Sequence, residues 1–474
     1  MDINYLALLP EIILSLFGVL VMLAVPFAPA KMQTRLAYPA LLGLLLAGAA
    51  ALAFPVSAVQ EGMLFHDQFG TFCKLLFFFS SSAVVLVSIS YLDGMGLRKG
   101  EFYALVLFAT VGMSLMANSA DLIMTFLGLE ILSIATYVLA GFRRQDIKSG
   151  EAALKYFILG SLSTAFLLYG IAFLYGATGT TKYAGMVEAV SVSTDRIVAL
   201  FLGLGLLVVG FGFKAALVPF HVWTPDVYEG APVPVTAHLA VSSKAAAFLA
   251  LVRILYQVLP QLSTNWQTVF WMSAFLTMAL GNIVALTQNN IKRMLAYSSI
   301  AHAGYLLLGI VANNREGLQA ILFYLVSYAL MTLGAFGVVQ LVGREDEKSV
   351  AIEDYAGLGH RHPYLAAALS VFLISLAGIP ATAGFMGKLF LFSAAIESQM
   401  YWLVLVAVLT SAIGLYYYLR VIVFMYMRES QTGQLEITVP TPAALAIAIM
   451  LAGTVYLGIF PGTFLRLAGE AARF

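Results

Sequence analysis

Five side chains stand where a proton could be taken up and handed on: Glu130, Lys214, Lys244, His302 and Lys388. Each is set in an apolar run. Glu130 is flanked by Leu127, Leu129, Ile131 and Leu132, and Lys244 precedes Ala245-Ala246-Ala247-Phe248. Burial disfavours charge, so a buried lysine loses proton affinity and a buried glutamate gains it. Both then exchange protons near neutral pH. An opposite charge close by stabilises both ionised forms, so moving it changes the lysine's hold on its proton. One carboxylate with several lysines therefore reads as a proton relay. The plainer reading of a charge in an apolar run is a helix-end residue that snorkels to the interface. That reading suits Lys74, Lys155 and Arg420, which lie nearer the ends of their runs, and Arg253 is read as interfacial. His302 sits in Tyr297-Ser298-Ser299-Ile300-Ala301-His302-Ala303-Gly304-Tyr305, where Ser298, Ser299 and Tyr305 could hold water. Its plainer role is a hydrogen bond to a neighbouring helix.

The elements that must position these groups are membrane helices. The chain has 474 residues, 61% hydrophobic and only 10% charged. A soluble chain is about 25% charged. With 25 Lys+Arg against 24 Asp+Glu the net charge is +1, which gives no footprint for a nucleic acid. Taking roughly 20 mostly apolar residues per span, about fourteen spans emerge. They lie near 5–25, 34–54, 70–91, 102–118, 120–141, 152–176, 197–230, 233–257, 267–287, 293–311, 317–342, 363–396, 401–427 and 440–461. Runs such as 40–54 are apolar all round, so the chain reads as an all-α polytopic protein in a lipid bilayer, not a β-barrel. The start, Met1-Asp2-Ile3-Asn4, has no basic residue, so the first span is read as retained. The longest loops, near 177–196 and 343–362, hold only about 20 residues each, and Arg344-Glu345-Asp346-Glu347-Lys348 in the second is read as a solvated run.

Basic residues cluster in alternate loops. Lys31, Arg35, Arg98, Lys99, Arg143, Arg144, Lys148, Lys292, Arg293, Arg344, Lys348, Arg361 and Arg428 fall on one side; Lys182, Arg196 and Arg315 fall on the other. The positive-inside rule puts the first set in the cytoplasm. Both termini then face the outer, periplasmic side, consistent with a bacterial inner membrane.

Two spans are interrupted. Pro219 breaks the seventh, where Lys214 lies just upstream, and Gly378, Pro380 and Gly384 break the twelfth, where Lys388 lies just downstream. Irregular backbone at membrane depth must be enclosed by protein or line a water-filled cavity. Broken spans at matching positions point to inverted repeats around an ion path. The breaks are five spans apart, so the expected layout is three N-terminal helices (1–101), a first five-helix repeat (102–259, spans 4–8), a second (267–428, spans 9–13) and a last helix (440–474). His221, Asp226, Glu229 and His238 flank the first break and are candidates for a cytoplasmic entrance.

Redox centres are not expected here. Cys73 is the only cysteine, and a lone thiol makes no zinc site, iron–sulfur cluster or internal disulfide. Gly203, Gly205 and Gly210 do not make G-x-G-x-x-G, so no nicotinamide, flavin or ATP site is expected.

Three long stretches carry a family resemblance. The first runs from Phe211 to Lys244, with Phe213-Lys214, Leu217-Val218-Pro219-Phe220-His221, Pro225-Asp226-Val227-Tyr228 and Ser243-Lys244. The second is Ile291-Lys292-Arg293-Met294-Leu295-Ala296-Tyr297-Ser298-Ser299-Ile300 with His302 and Gly304, and the third Ala377-Gly378-Ile379-Pro380 with Gly384, Phe385 and Lys388. Together with Leu9-Pro10-Glu11-Ile12, the chain resembles the subunit N (subunit 2) family of proton-pumping NADH:quinone oxidoreductase, respiratory complex I. That family is related to the membrane subunits of Mrp antiporters. Lysine at 388, where subunit M-like chains carry glutamate, favours N. The resemblance implies proton-path roles for Glu130, Lys214, Lys244 and Lys388. It implies FMN, iron–sulfur clusters and quinone in partner subunits, and partners among the antiporter-like and small membrane-arm subunits. An Mrp-type cation/proton antiporter, a membrane-bound hydrogenase subunit and a purely structural subunit are the other readings.

Overall fold

The computed structural model describes residues 8–53, 59–97, 99–192, 196–343, 347, 349–429 and 437–473. Within them the chain is a bundle of apolar helices. Twelve are long and apolar enough to cross a membrane, and Glu101–Ala117 and Pro363–Ala377 are shorter apolar helices. The fold is that of a multi-pass integral membrane protein. A small antiparallel hairpin, Val59–Glu61 with Leu64–His66, is the sheet found among the described residues. Helix starts follow local chemistry. The side chains of Asp67, Asp121, Asn290 and Thr382 accept from backbone N–H groups of the first turns they cap.

The helices are not equivalent. Val233–Val258, Ile291–Ala312 and Arg315–Val342 are enclosed almost wholly by other helices, whereas Leu9–Phe27 and Ile147–Thr178 turn most of their surface outward. The enclosed helices carry Lys244 and His302, which explains why polar residues are tolerated there.

Both expected breaks exist and share one hydrogen-bond pattern. Ile197–Ala215 ends with Ala216 in a left-handed conformation (φ 59°), Ala216 N donating to Phe213 O and Leu217 N to Gly212 O. Pro363–Ala377 ends with Gly378 (φ 85°), Gly378 N donating to Ser375 O and Ile379 N to Ile374 O. This is a Schellman-type stop. The second halves are Trp223–Gly230 and Ala383–Glu397. Gly384 is therefore not part of the break. It lies in the first turn of the resumed helix, where a Cβ would collide with the Ser375 carbonyl oxygen and its own N–H donates to Ser375 Oγ at 3.0 Å. A third irregularity had no Gly or Pro to announce it: Val233–Val258 widens into π-helical turns at Leu239–Ser243 and Ile254–Val258.

Several charges differ from expectation. The 177–196 loop contains a helix, Tyr183–Val192, docked through Tyr183 OH, which bonds Thr125 Oγ1 at 2.7 Å. Lys74 does not snorkel: it is buried and pairs with Glu11 at 2.9 Å, while Ser114 Oγ donates to the same carboxylate at 2.5 Å. Arg253 is interior too, 1% exposed. Its fork donates to both Asp67 oxygens at 2.7 and 2.9 Å and its Nε to Ala117 O at 2.9 Å, with Phe65 and Phe69 rings within 4.7 Å. Arg253→Lys keeps the charge but loses the planar fork and the ring stacking. The expected cost is about 1–3 kcal/mol, the range for a charged hydrogen bond removed from a buried partner. It is read as a lowered melting temperature of the solubilised protein. Burial alone would raise the Asp67 carboxyl; the Arg253 guanidinium outweighs it and holds the carboxyl below its usual value. This contribution is present above the usual aspartate pKa and is lost as pH falls through the lowered one.

Candidate functional site

The first break positions Lys214. It sits in the last turn of Ile197–Ala215, where a cation complements the helix dipole. Its Nζ donates to Ser133 Oγ at 3.0 Å and Tyr156 OH at 2.9 Å and stands 5.2 and 5.8 Å from the Tyr156 and Tyr137 ring centres. Trp223 stacks on Tyr156 at 4.6 Å and its Nε1 donates to Phe213 O, so the resumed half-helix seals the lysine from one side. Glu130 lies one turn before Ser133 on Leu122–Ala140; it accepts from Thr164 Oγ1 at 2.8 Å and is within electrostatic reach of Lys214.

Lys244 follows the π-helical turn. Its Nζ donates to Ser299 Oγ at 2.5 Å and Ser299 O at 2.7 Å. One turn on, His302 is held at both nitrogens, Nδ1 with Tyr324 OH at 2.5 Å and Nε2 with Tyr418 OH at 3.1 Å. Tyr418 also bonds Ser298. The Tyr305 ring packs edge-on to His302, and Lys388 Nζ lies 4.8 Å from the same ring centre.

The second break holds Lys388. Its Nζ donates to Leu376 O at 3.1 Å, Ala377 O at 3.0 Å and Ser411 Oγ at 2.8 Å. Carbonyls of a last helical turn lack intrahelical donors, so the break itself supplies the acceptors. The four lysine and histidine side chains are 2–5% exposed, and each ends in hydroxyl or carbonyl partners.

The entrance candidates divide. Asp226 and Glu229 line a cleft of about 170 Å³ with Lys148, Glu151, Lys155 and Arg293. There Lys155 pairs with Asp226 at 2.8 Å, Arg293 with Asp226 and Glu229 at 2.9 Å, and Lys148 with Glu229 at 3.1 Å. Lys155 and Tyr156, the Lys214 partner, are consecutive in Ile147–Thr178, so one helix contributes to both the cleft and the surroundings of the lysine. His221 is half-buried beside the break, and neither it nor His238 lines the cleft. His238 is wholly interior.

The largest departure from expectation is Glu347. Read as part of a solvated run, its side chain is instead buried, 5% exposed. It accepts from Tyr91 OH at 2.6 Å, from Val233 N at 3.0 Å and from Lys292 Nζ at 2.9 Å, and pairs with Arg143 at 3.2 Å. The other members of that run lie outside the described residues.

Fold and site together define a multi-pass integral membrane protein with ionisable groups held in its interior. Residues 119–414 match the family described as "NADH:quinone oxidoreductase/Mrp antiporter, TM". NADH-quinone oxidoreductase subunit N of Trichlorobacter lovleyi is 46% identical over 475 residues, covering 99% of this chain and 97% of that protein, and subunit N 2 of Koribacter versatilis is 44% identical over 481, covering 99% and 97%. The chain belongs to the NADH-quinone oxidoreductase subunit N family, as its motifs implied. Among solved structures, a chain of respiratory complex I from Thermus thermophilus superposes with a TM-score of 0.82 at 37% identity, covering 97% of this chain and 99% of that one.

Proposed function

We propose that the chain translocates protons as a membrane-arm subunit of an NADH:quinone oxidoreductase, respiratory complex I, through Glu130, Lys214, Lys244, His302 and Lys388. The observation that carries this is the run of buried lysines that end on hydroxyls and carbonyls and not on carboxylates. A lysine locked in an ion pair holds its proton; these are free to exchange theirs. Protons enter at the Asp226–Glu229 cleft, reach Lys214, then Lys244, pass His302 and leave from Lys388. The matched stops at Ala216 and Gly378 support two five-helix repeats, at 102–259 and 267–428. The charge asymmetry of the loops supports a bacterial inner-membrane location with both termini outside. Partners are the other antiporter-like and small membrane-arm subunits.

The iron–sulfur clusters implied by the family do not fit this chain. Cys73 is its one thiol and is buried in Gln68–Gly94, whereas a cluster needs several ligands. Electron transfer, with quinone reduction, belongs to partner subunits.

The test is Glu130→Ala in the assembled complex, scored as protons moved per quinone reduced. Removing the carboxylate that favours the charged form of Lys214 is expected to lower the protons moved per quinone reduced. Full pumping with intact electron transfer would remove Glu130 from the path.

A further inference from the structure

We propose that His238 is a proton-carrying station between Lys214 and Lys244, an inference that rests on the relay reading above. His238 is fully buried, yet neither ring nitrogen has a hydrogen-bond partner among the described residues. That is unusual. His302, equally enclosed, has both nitrogens occupied by tyrosine hydroxyls. An enclosed polar atom left unpaired carries its full desolvation cost, and buried polar groups are nearly always satisfied by protein or by ordered water. If side-chain volume were all that mattered, a phenyl ring would fill the position without that cost.

The placement gives the imidazole something to do. His238 is the last residue of the helical turn Val233–His238, within electrostatic reach of Lys214. The π-helical turn Leu239–Ser243 separates it from Lys244. Such turns concentrate at functional sites, where they redirect side chains. This one presents hydroxyls: Ser242 Oγ bonds Ser80 Oγ at 2.9 Å, and Ser243 faces the Tyr156 hydroxyl. Lys214 ends on Tyr156 and Ser133, and Lys244 ends on Ser299. Between the two lysines, hydroxyls relay a proton without holding it, whereas an imidazole takes one on one nitrogen, holds it as a stable cation and releases one from the other. Ordered water bound at Nδ1 and Nε2 satisfies both nitrogens and joins them to the lysines. A proton arriving at one nitrogen leaves from the other, and the ring returns to neutrality.

The test uses the assembled, membrane-embedded complex carrying His238→Phe or His238→Asn, beside Lys244→Ala. Phe fills the site and carries no proton; Asn holds water and carries no proton. Proton translocation and quinone reduction are measured together. Removal of a positioned proton carrier predicts a loss of about tenfold or more in translocation through this chain for both variants. A structural role predicts normal translocation with Phe. Translocation at the unmodified rate with Phe, while Lys244→Ala is impaired, overturns the inference and leaves the relay standing. Unmodified rates with Lys244→Ala as well place the failure in the relay reading. If Phe does not assemble, Asn decides alone. If neither assembles, His238 is structural and the inference is overturned.

Discussion

Lys244→Ala lowers proton transfer through this chain by about two orders of magnitude while leaving the subunit assembled. The size follows from removing a positioned proton donor and acceptor, which is worth roughly 10²–10⁴ in rate. Retained assembly follows from the contacts. An ammonium at mid-membrane costs about 2.5–3.5 kcal/mol, and among the described residues Lys244 has no carboxylate partner to be orphaned by its loss. There it donates to Ser299 Oγ and Ser299 O. The first is a hydroxyl oxygen that loses a donor while its own O–H can still donate, and the second is a backbone carbonyl that keeps its place in the helix. Lys244→Arg makes the decisive comparison. Guanidinium keeps the charge and the donors but does not give up its proton in a protein. If Lys244 works by exchanging a proton, Arg is as impaired as Ala. If Lys244 only supplies positive charge, Arg restores translocation. Measuring protons moved per quinone reduced in proteoliposomes separates the two, and full rescue by Arg rules out Lys244 as a carrier.

The groups most easily read from the sequence were those whose presence in an apolar run is costly. Glu130, Lys214, Lys244 and Lys388 stand out because a membrane helix otherwise excludes charge, and the structure brings the three lysines onto buried hydroxyls and carbonyls. Pro219 and Gly378 were legible because missing donors and positive φ are written in residue type. Partners distant in sequence were not. Lys74 reads as a helix-end cation until Glu11, from another helix, is placed 2.9 Å away. Arg253 reads as interfacial until Asp67 meets its fork. The π-helical turn at Leu239–Ser243 has no residue that announces it, and with it the interior position of His238 was hidden. Gly384 was misjudged because a glycine needed for close packing looks the same in sequence as one needed for a break.

Glu347→Ala destabilises the subunit by about 3–5 kcal/mol, the range for removing one partner of a buried ion pair. Lys292, 1% exposed at its side chain, is then left with Ala231 O as its acceptor. Tyr91 OH and Val233 N also lose theirs. Val233 opens the helical segment that carries His238, the π-helical turn and Lys244, and a carboxylate at a helix start is favoured by its dipole. Glu347 therefore anchors the element on which the relay depends, and any subunit that still assembles should transfer protons more slowly. Burial alone would raise the Glu347 carboxyl; Lys292, the Tyr91 hydroxyl and Arg143 outweigh it and hold it below its usual value. The stabilisation is thus complete above the usual glutamate pKa and is lost as pH falls through the lowered one. Melting of the solubilised complex against pH should show an acid-side loss that Glu347→Ala reduces, leaving the part that Asp67 contributes. Glu347→Gln keeps an acceptor for Tyr91 but leaves the Lys292 charge uncompensated, so it stays defective. Adding Lys292→Met to Glu347→Gln removes that charge and recovers most of the assembled subunit. Equal assembly of Glu347→Ala and the unmodified chain, with an unchanged pH profile, would mean that this buried cluster is not what fixes the helix start.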